Sequence, residues 1–285
     1  MKKSELKKST VWRRFRRNKP AMIGLCILTV ILLAIIFGGF LIDYETQVIR
    51  NNARERLQPP SAAHWFGTDS VGRDVFSRII YGGRYSISIG ILITAISGII
   101  GAIIGAACGY FGGWFDNLVM RFVDLINATP GMLLLLAIVA SLGASFENLV
   151  LAMCIGTVPG FIRLIRSSVI NLTGVEYVEA AKSYGSGNFR IILKHVLPNA
   201  LGVLIVNCAG TVSSCIQAAA GLSFLGFGVQ PPLPEWGVML SDAKLYMVSA
   251  PWCMLAPGLA IFLTALSINL IGDGMRDALD PRLKD

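Results

Sequence analysis

The chain has 285 residues, of which 54% are hydrophobic and only 15% charged, with a mean hydropathy of +0.64. A soluble globular chain carries roughly a quarter charged residues, so this composition points to a protein built into a bilayer. The net charge of +8 does not argue for nucleic acid, because nine of the 25 Lys and Arg crowd into residues 1–20, ahead of an apolar run. A helix inserted with its N-terminus in the cytoplasm carries its basic residues there.

Residues 1–20 are therefore read as a cytoplasmic, basic amphipathic segment. Ala21–Ile42 follows without a charge; at 1.5 Å per residue it spans about 33 Å, enough to cross a core of about 30 Å. Its exit, Phe40-Leu41-Ile42-Asp43-Tyr44, offers no small-x-small cleavage site, so 21–42 is expected to be a retained first transmembrane helix. Residues 43–84 form an outer loop, and further apolar stretches lie at Tyr85–Tyr110, Leu118–Leu142, Phe146–Ile165, Ala200–Phe224 and Trp252–Ile271. The expected architecture is all-α and polytopic, with about six transmembrane helices: a five-helix core over 85–273 that includes a cytoplasmic loop at 172–198, then a cytoplasmic tail at 274–285.

Six spans place both termini on one side. The loop 166–199 holds Arg166, Lys182, Arg190 and Lys194, the tail holds Arg276, Arg282 and Lys284, and the outer loop 225–251 holds only Lys244. The six Arg of 43–84 run against this trend, but long translocated loops report topology poorly. All five tryptophans, Trp12, Trp65, Trp114, Trp236 and Trp252, fall near expected span ends, as interfacial anchors do.

Ser97, Gly101, Gly105 and Gly109 recur every four positions and predict a close helix contact, while Pro130, Pro159 and Pro257 predict kinks. Arg121, Asp124 and Asn127 share one helix face, where Arg121 and Asp124 can pair; Asn207, Gln217 and Asn269 lie deeper. Such polar groups serve helix–helix hydrogen bonding or cargo contact. The six cysteines have no C-x-x-C spacing and read as small hydrophobes, and two histidines, His64 and His195, give little material for a metal site or a triad.

The segment Glu176–Pro198, EYVEAAKSYGSGNFRIILKHVLP, is too polar to cross a membrane yet strongly patterned. Val175, Val178 and Ala181 repeat up to Gly185, a residue suited to a left-handed helix stop. Phe189, Ile192, Leu193 and Val196 then form an i, i+3, i+4, i+7 stripe, with Arg190 and Lys194 opposite and Pro198 marking entry into the next span. Periodicity alone leaves open whether this pair of helices lies in a groove on another protein or rests on lipid headgroups.

Glu179-Ala180-Ala181-x-x-x-Gly185, closed by Leu197-Pro198, resembles the EAA loop of permease subunits in binding-protein-dependent ABC importers. His195 departs from the general pattern and narrows the resemblance to the peptide-transporting branch. Three further stretches resemble the dipeptide, oligopeptide and nickel permeases of the C-subunit type. They are His64-Trp65-Phe66-Gly67-Thr68-Asp69 with Gly72-Arg73-Asp74 and Ser77-Arg78; Gln230-Pro231-Pro232 with Pro234-Glu235-Trp236-Gly237; and Gly272-Asp273-Gly274-x-Arg276-Asp277-Ala278-Leu279-Asp280-Pro281. Read from the residues alone, Asp69 or Asp74 suits the cap of a helix on the outer surface, and the proline cluster shapes an outer loop.

The resemblance implies a type I ABC importer permease fold and half of a channel for di- or oligopeptides, or for nickel or another small solute. It implies a homologous permease as heterodimer partner, two ATP-binding subunits and an extracytoplasmic solute-binding protein. Glu179, Ala180, Ala181, Gly185, His195, Leu197 and Pro198 become the expected coupling residues. The chain has no G-x-x-x-x-G-K-[ST] loop, so ATP and Mg²⁺ are expected on the partner subunits, with no cofactor or metal on this chain. An ion-coupled stand-alone transporter is disfavoured because the middles of the spans lack Asp, Glu, Lys and Arg. A membrane enzyme is disfavoured because there is no H-E-x-x-H and no pair of carboxylates within a span.

Overall fold

A computed structural model describes residues 12–279; residues 1–11 and 280–285, with Asp280, Pro281, Arg282 and Lys284, lie outside it. The elements are α1 (Lys19–Leu41), α2 (Val75–Phe111), α3 (Gly113–Ala128), α4 (Gly131–Leu142), α5 (Phe146–Thr173), α6 (Glu176–Ser183), α7 (Asn188–Phe224), α8 (Trp236–Ala243) and α9 (Trp252–Leu279). No strand occurs among the described residues; Thr68 and Asp74 make one isolated bridge. Five helices, α1, α2, α5, α7 and α9, are long and apolar enough to cross a bilayer, and the bent pair α3 and α4 makes a sixth if counted as one span.

That bent pair corrects the continuous helix expected over Leu118–Leu142. The two halves meet at 89°, with Thr129 extended at φ −90°, ψ 134° ahead of Pro130. Proline drives its predecessor out of the helical region and supplies no N–H, so Pro130 ends one helix and starts another. Pro159 and Pro257, by contrast, sit inside unbroken helices. The second span also begins earlier than expected, at Val75 rather than Tyr85, because Asp74 accepts from the Ser77 amide at 2.7 Å. Asp74 thus caps a membrane-spanning helix, not a separate helix lying on the surface.

The bundle is organised around α2, which packs most extensively on α5 and also on α7. The predicted small-residue stripe makes the α5 contact. A Cβ on Gly101 would strike Phe161, one on Gly105 would lie 2.7 Å from the Ile162 carbonyl, and one on Gly109 2.7 Å from the Arg166 carbonyl. In lipid, where burying apolar area gives helices no reason to associate, such backbone-to-backbone packing supplies the attraction.

At the end of the bundle carrying residues 43–74 and 225–251, ion pairs join the loops. Asp69 accepts from the Val71 and Arg73 amides and from Arg73 Nε at 2.6 Å, and Arg78 Nε lies 3.7 Å away. Asp242 receives Arg73 at 3.3 Å and Arg78 at 3.9 Å, and Arg78 also donates to the Val48 carbonyl. Arg84 donates to the Ile35 carbonyl and lies over the Tyr81 ring. With Arg56, which donates to the Ser70 carbonyl, four of the six Arg of 43–84 are committed to internal contacts, which is why their number says little about sidedness.

Glu235, fully buried, caps α8 through the Val238 amide and accepts from Ser86 of α2. Its neighbour Trp236 corrects the interfacial reading of the tryptophans: it is 1% exposed at the centre of the core and donates to the Ile79 carbonyl.

Gly105→Val is expected to lower the unfolding midpoint of the detergent-solubilised protein by an amount matching about 1–3 kcal/mol of overpacking, while Gly221→Ala, with nothing within 4 Å of its Cβ, leaves it in place or raises it. Equal midpoints for the two would remove the α2–α5 contact from its structural role. Asp69→Asn leaves two arginines short of a carboxylate and is expected to cost about 3 kcal/mol; limited proteolysis should then cut within 43–74, where the parent chain resists.

Candidate functional site

At the opposite end, α5 runs into α6 and then α7 through a compact elbow. Gly185 stops α6 in the left-handed region at φ +73°, and the Ser186 and Tyr184 amides return to the Ala181 and Ala180 carbonyls. The Ser186 bond is the six-to-one closure that a glycine after a helix end permits, and the Tyr184 bond completes the last helical turn. Nothing lies within 4 Å of a Cβ there, so backbone conformation, not space, demands glycine.

The α7 entry departs from the expected stripe. Ile192–Val196 is a π-helical turn, with the Leu197 amide returning to the Ile192 carbonyl. Pro198 has no N–H for the Lys194 carbonyl four residues back, and its ring crowds that carbonyl; widening the turn relieves both. Five-residue spacing then brings Ile191 and Val196 to one face, where both are fully buried with Val178, Ala181 and Ala200 against Ile165 and Val169 of α5 and Ala102 and Ala106 of α2. The predicted stripe is therefore divided: Val196 is buried and Ile192 packs on the cluster, whereas Phe189 and Leu193 face outward. Phe189 is 76% exposed and Tyr184 89%.

Of the residues singled out by the motif, Ala181 is buried and Leu197 packs on the same cluster, whereas Glu179, Ala180 and Pro198 are exposed and His195 is half-buried. The predicted Arg121–Asp124 pair does not form. Asp124 pairs across helices with Arg163 at 2.5 Å, and Asp116 takes a two-pronged contact from Arg166 at 2.5 Å, so α3 is clamped to the elbow-side half of α5.

A cleft of about 1460 Å³ opens beside the elbow between α4, α5, α7 and α9. Its membrane-level wall carries Thr157, Asn207, Thr211, Ser214 and Asn269, neutral polar groups among glycines and apolar residues, and its charged groups, Arg14, Asp273 and Arg276, lie near the helix ends. Asn199 joins the two features: it lines the cleft, and its amide donates to the His195 carbonyl at 2.6 Å and to the Tyr177 hydroxyl at 3.2 Å.

Residues 98–285 match the family described as binding-protein-dependent transport system inner membrane component, and residues 9–60 match the N-terminal transmembrane domain of oligopeptide transport permease C. This chain belongs to that inner membrane component family. The permease is 46% identical to a dipeptide transport system permease protein of Alkalihalophilus pseudofirmus, over 96% of its own length and 89% of the relative's. It is 43% identical to a glutathione transport system permease protein of Pectobacterium atrosepticum, over 96% and 90%. Two inward-facing structures of the MetNI methionine ABC transporter superpose with TM-scores of 0.54 and 0.56, at 19% and 18% identity. They cover 70% and 71% of this chain and 97% of theirs, and establish the shared type I importer permease fold. The permease is thus a multi-pass inner membrane protein and one component of a larger transport assembly.

Sequence reasoning missed Asn199 and the α3 clamp. The Asp116–Arg166 partners lie 50 residues apart, with no local periodicity to join them. Asn199 carried a signal, standing directly after the Leu-Pro pair of the permease motif, but its partner Tyr177 is brought near only by the fold of the elbow.

Substitutions at Gly185 should rank by their tolerance of positive φ. Gly185→Asn retains most ATP-driven uptake, Gly185→Ala loses a few-fold for roughly 1 kcal/mol of strain, and Gly185→Val leaves an inserted but transport-dead protein. Full uptake by the valine variant, measured with equal amounts of protein in the membrane, would show that the left-handed stop is not needed.

Proposed function

We propose that this permease forms half of the translocation pathway of an ABC importer for di- or oligopeptides. It pairs with a homologous permease as a heterodimer, is driven by two ATP-binding subunits, and receives cargo from an extracytoplasmic solute-binding protein. The elbow end faces the cytoplasm: Arg13, Arg14, Arg16, Arg17 and Lys19 flank α1 there, and basic flanks stay inside. On this reading, residues 1–20 and 274–285 are cytoplasmic, and the loops before α2 and around α8 lie outside.

The observation that carries the proposal is the two-sided character of the elbow. Val178, Ala181, Ile191 and Val196 lock it onto α2 and α5, while Tyr184, Phe189 and Leu193 are left bare. Exposed apolar side chains grouped on a rigid joint suit docking into a groove on a partner, and a joint continuous with two spans passes the partner's movement into them. Glu179, Ala180, Ala181, Gly185, His195, Leu197 and Pro198 are the coupling residues on this reading, with Asn199 relaying between elbow and cleft. ATP and Mg²⁺ sit on the partner subunits, where hydrolysis occurs. Peptide cargo is supported by the relatives named for dipeptide and glutathione transport, glutathione being itself a peptide.

The test is purification of the complex from its native membrane, followed by uptake in vesicles. ATP-dependent accumulation of a labelled dipeptide, together with labelling of Ser186→Cys only from the cytoplasmic side, is the expected result. Labelling from outside, or ion-gradient-driven uptake by this chain alone, would overturn the coupling; accumulation of another solute in place of peptides would overturn the cargo.

A further inference from the structure

The helical stretch 12–17 folds back on the end of α9. Phe15 is buried against Ala21 and Ala278 and meets Gly274, where a Cβ would lie 3.2 Å from its ring. Asn18, which caps α1 through the Ala21 amide, also donates to Asp277 at 3.0 Å. With Phe15 inward, Arg13, Arg16 and Arg17 are exposed, whereas Arg14 is half-buried and lines the cleft. From α9, Asn269, Asp273 and Arg276 line the same cleft at i, i+4 and i+7, a single helix face that passes from neutral to acidic to basic toward the helix end.

Around this end, solvent-exposed charges such as Arg121, Glu179 and Arg190 have no ion pair among the described residues, as is common at a surface; the charges of the α3 clamp and those of the cleft wall are arranged differently. Asp116, Asp124, Arg163 and Arg166 are paired with one another across helices, and Asp277 is held by Asn18. Arg14, half-buried, and Asp273 and Arg276, both exposed, have no ion-pair partner among the described residues; what sets them apart from the other surface charges is that both signs line one cleft. The helix dipole favours a cation in the last turn and so accounts for Arg276, but not for Arg14, which arrives from a separate segment, or for Asp273. Deeper in the cleft, among the described residues, the polar groups are uncharged amides and hydroxyls set among glycines and apolar side chains. Along the described wall that this chain contributes, a cargo with two charged ends therefore meets complementary charge at this mouth.

We propose that Arg14, Asp273 and Arg276 form an exit site for a zwitterion, holding the cargo's carboxylate against the two guanidiniums and its ammonium against Asp273. The site rests on the cargo and sidedness proposed above and adds to them the residues and the charge pattern. Guanidinium matches a carboxylate in a planar, two-pronged fashion, which an ammonium group cannot reproduce. The N-terminal segment is then part of the pathway, supplying one of the two arginines, and Phe15 is the wedge that aims it.

The experiment is saturation-transfer NMR on the purified, nucleotide-free complex without its binding protein, using a free dipeptide, its C-terminal amide and its N-acetyl form. Uptake of the free dipeptide into vesicles is measured in parallel. The expected result is contact with the free dipeptide that falls about tenfold in Arg14→Gln and Arg276→Gln, the loss of one charge-assisted contact. These two variants should bind the amide no worse than the parent does. Asp273→Asn should show the mirror pattern, losing the free dipeptide while treating the N-acetyl form as the parent does, and Arg276→Lys should recover only part of the loss.

Variants that bind all three compounds as the parent does, or that weaken all three alike, would overturn the exit site. If the parent complex transports dipeptides while the variants transport them equally well, the exit site fails and the function stands; if it transports no peptide but another solute, the cargo reading itself fails.

Discussion

Backbone-to-backbone contact between α2 and α5 is the constraint from which the rest of the bundle follows. Because Gly101, Gly105 and Gly109 present no side chain, the α5 carbonyls of Ile162 and Arg166 approach within a distance that a methyl group would forbid. This close fit sets the height of α5 relative to α2. It thereby brings Arg163 and Arg166 level with Asp124 and Asp116, and presents Ile165 and Val169 as the platform on which the elbow rests. A shift of one residue along that contact would misplace the clamp and the elbow together.

The elbow combines a rigid inner face with an uncovered outer one. Its rigidity has two local sources: a left-handed stop at Gly185 and a widened turn at 192–196 imposed by Pro198. Both are cheap to form where they stand and hard to relocate, so the bare side chains of Tyr184, Phe189 and Leu193 are held in a fixed pattern. Asn199 extends this rigidity into the cleft wall through its bonds to His195 and Tyr177. Elbow and cleft wall thus share residues over a short distance, an arrangement that suits the coupling proposed above.

Charge is distributed by the same logic. At the loop end Asp69 and Asp242 share Arg73 and Arg78, tying loops that are distant in sequence, and at the elbow end two acid–arginine pairs hold α3. Such pairs serve position, and for the more buried of them, Asp69 with Arg73 and Arg78, each charge offsets part of the cost of burying the other. Arg14, Asp273 and Arg276, without ion-pair partners among the described residues, bring both signs to one cleft wall, and the exit site proposed above would give the N-terminal segment a role beyond membrane insertion.

Much of this was legible from composition and period. The apolar runs determined the number of spans, the four-residue repeat of small residues determined which face of α2 would be packed closely, and Gly185 announced a left-handed stop, because each of these depends on residues near one another in the chain. The break at Pro130, the π-helical turn before Pro198 and the burial of Trp236 were decided by tertiary structure: each depends on how a local preference is resolved against neighbours from elsewhere. The same holds for the ion pairs. A sequence displays which charges exist, whereas only the packed helices decide that Asp124 meets Arg163 instead of Arg121, and that Arg14 stands in the same cleft as Asp273 and Arg276.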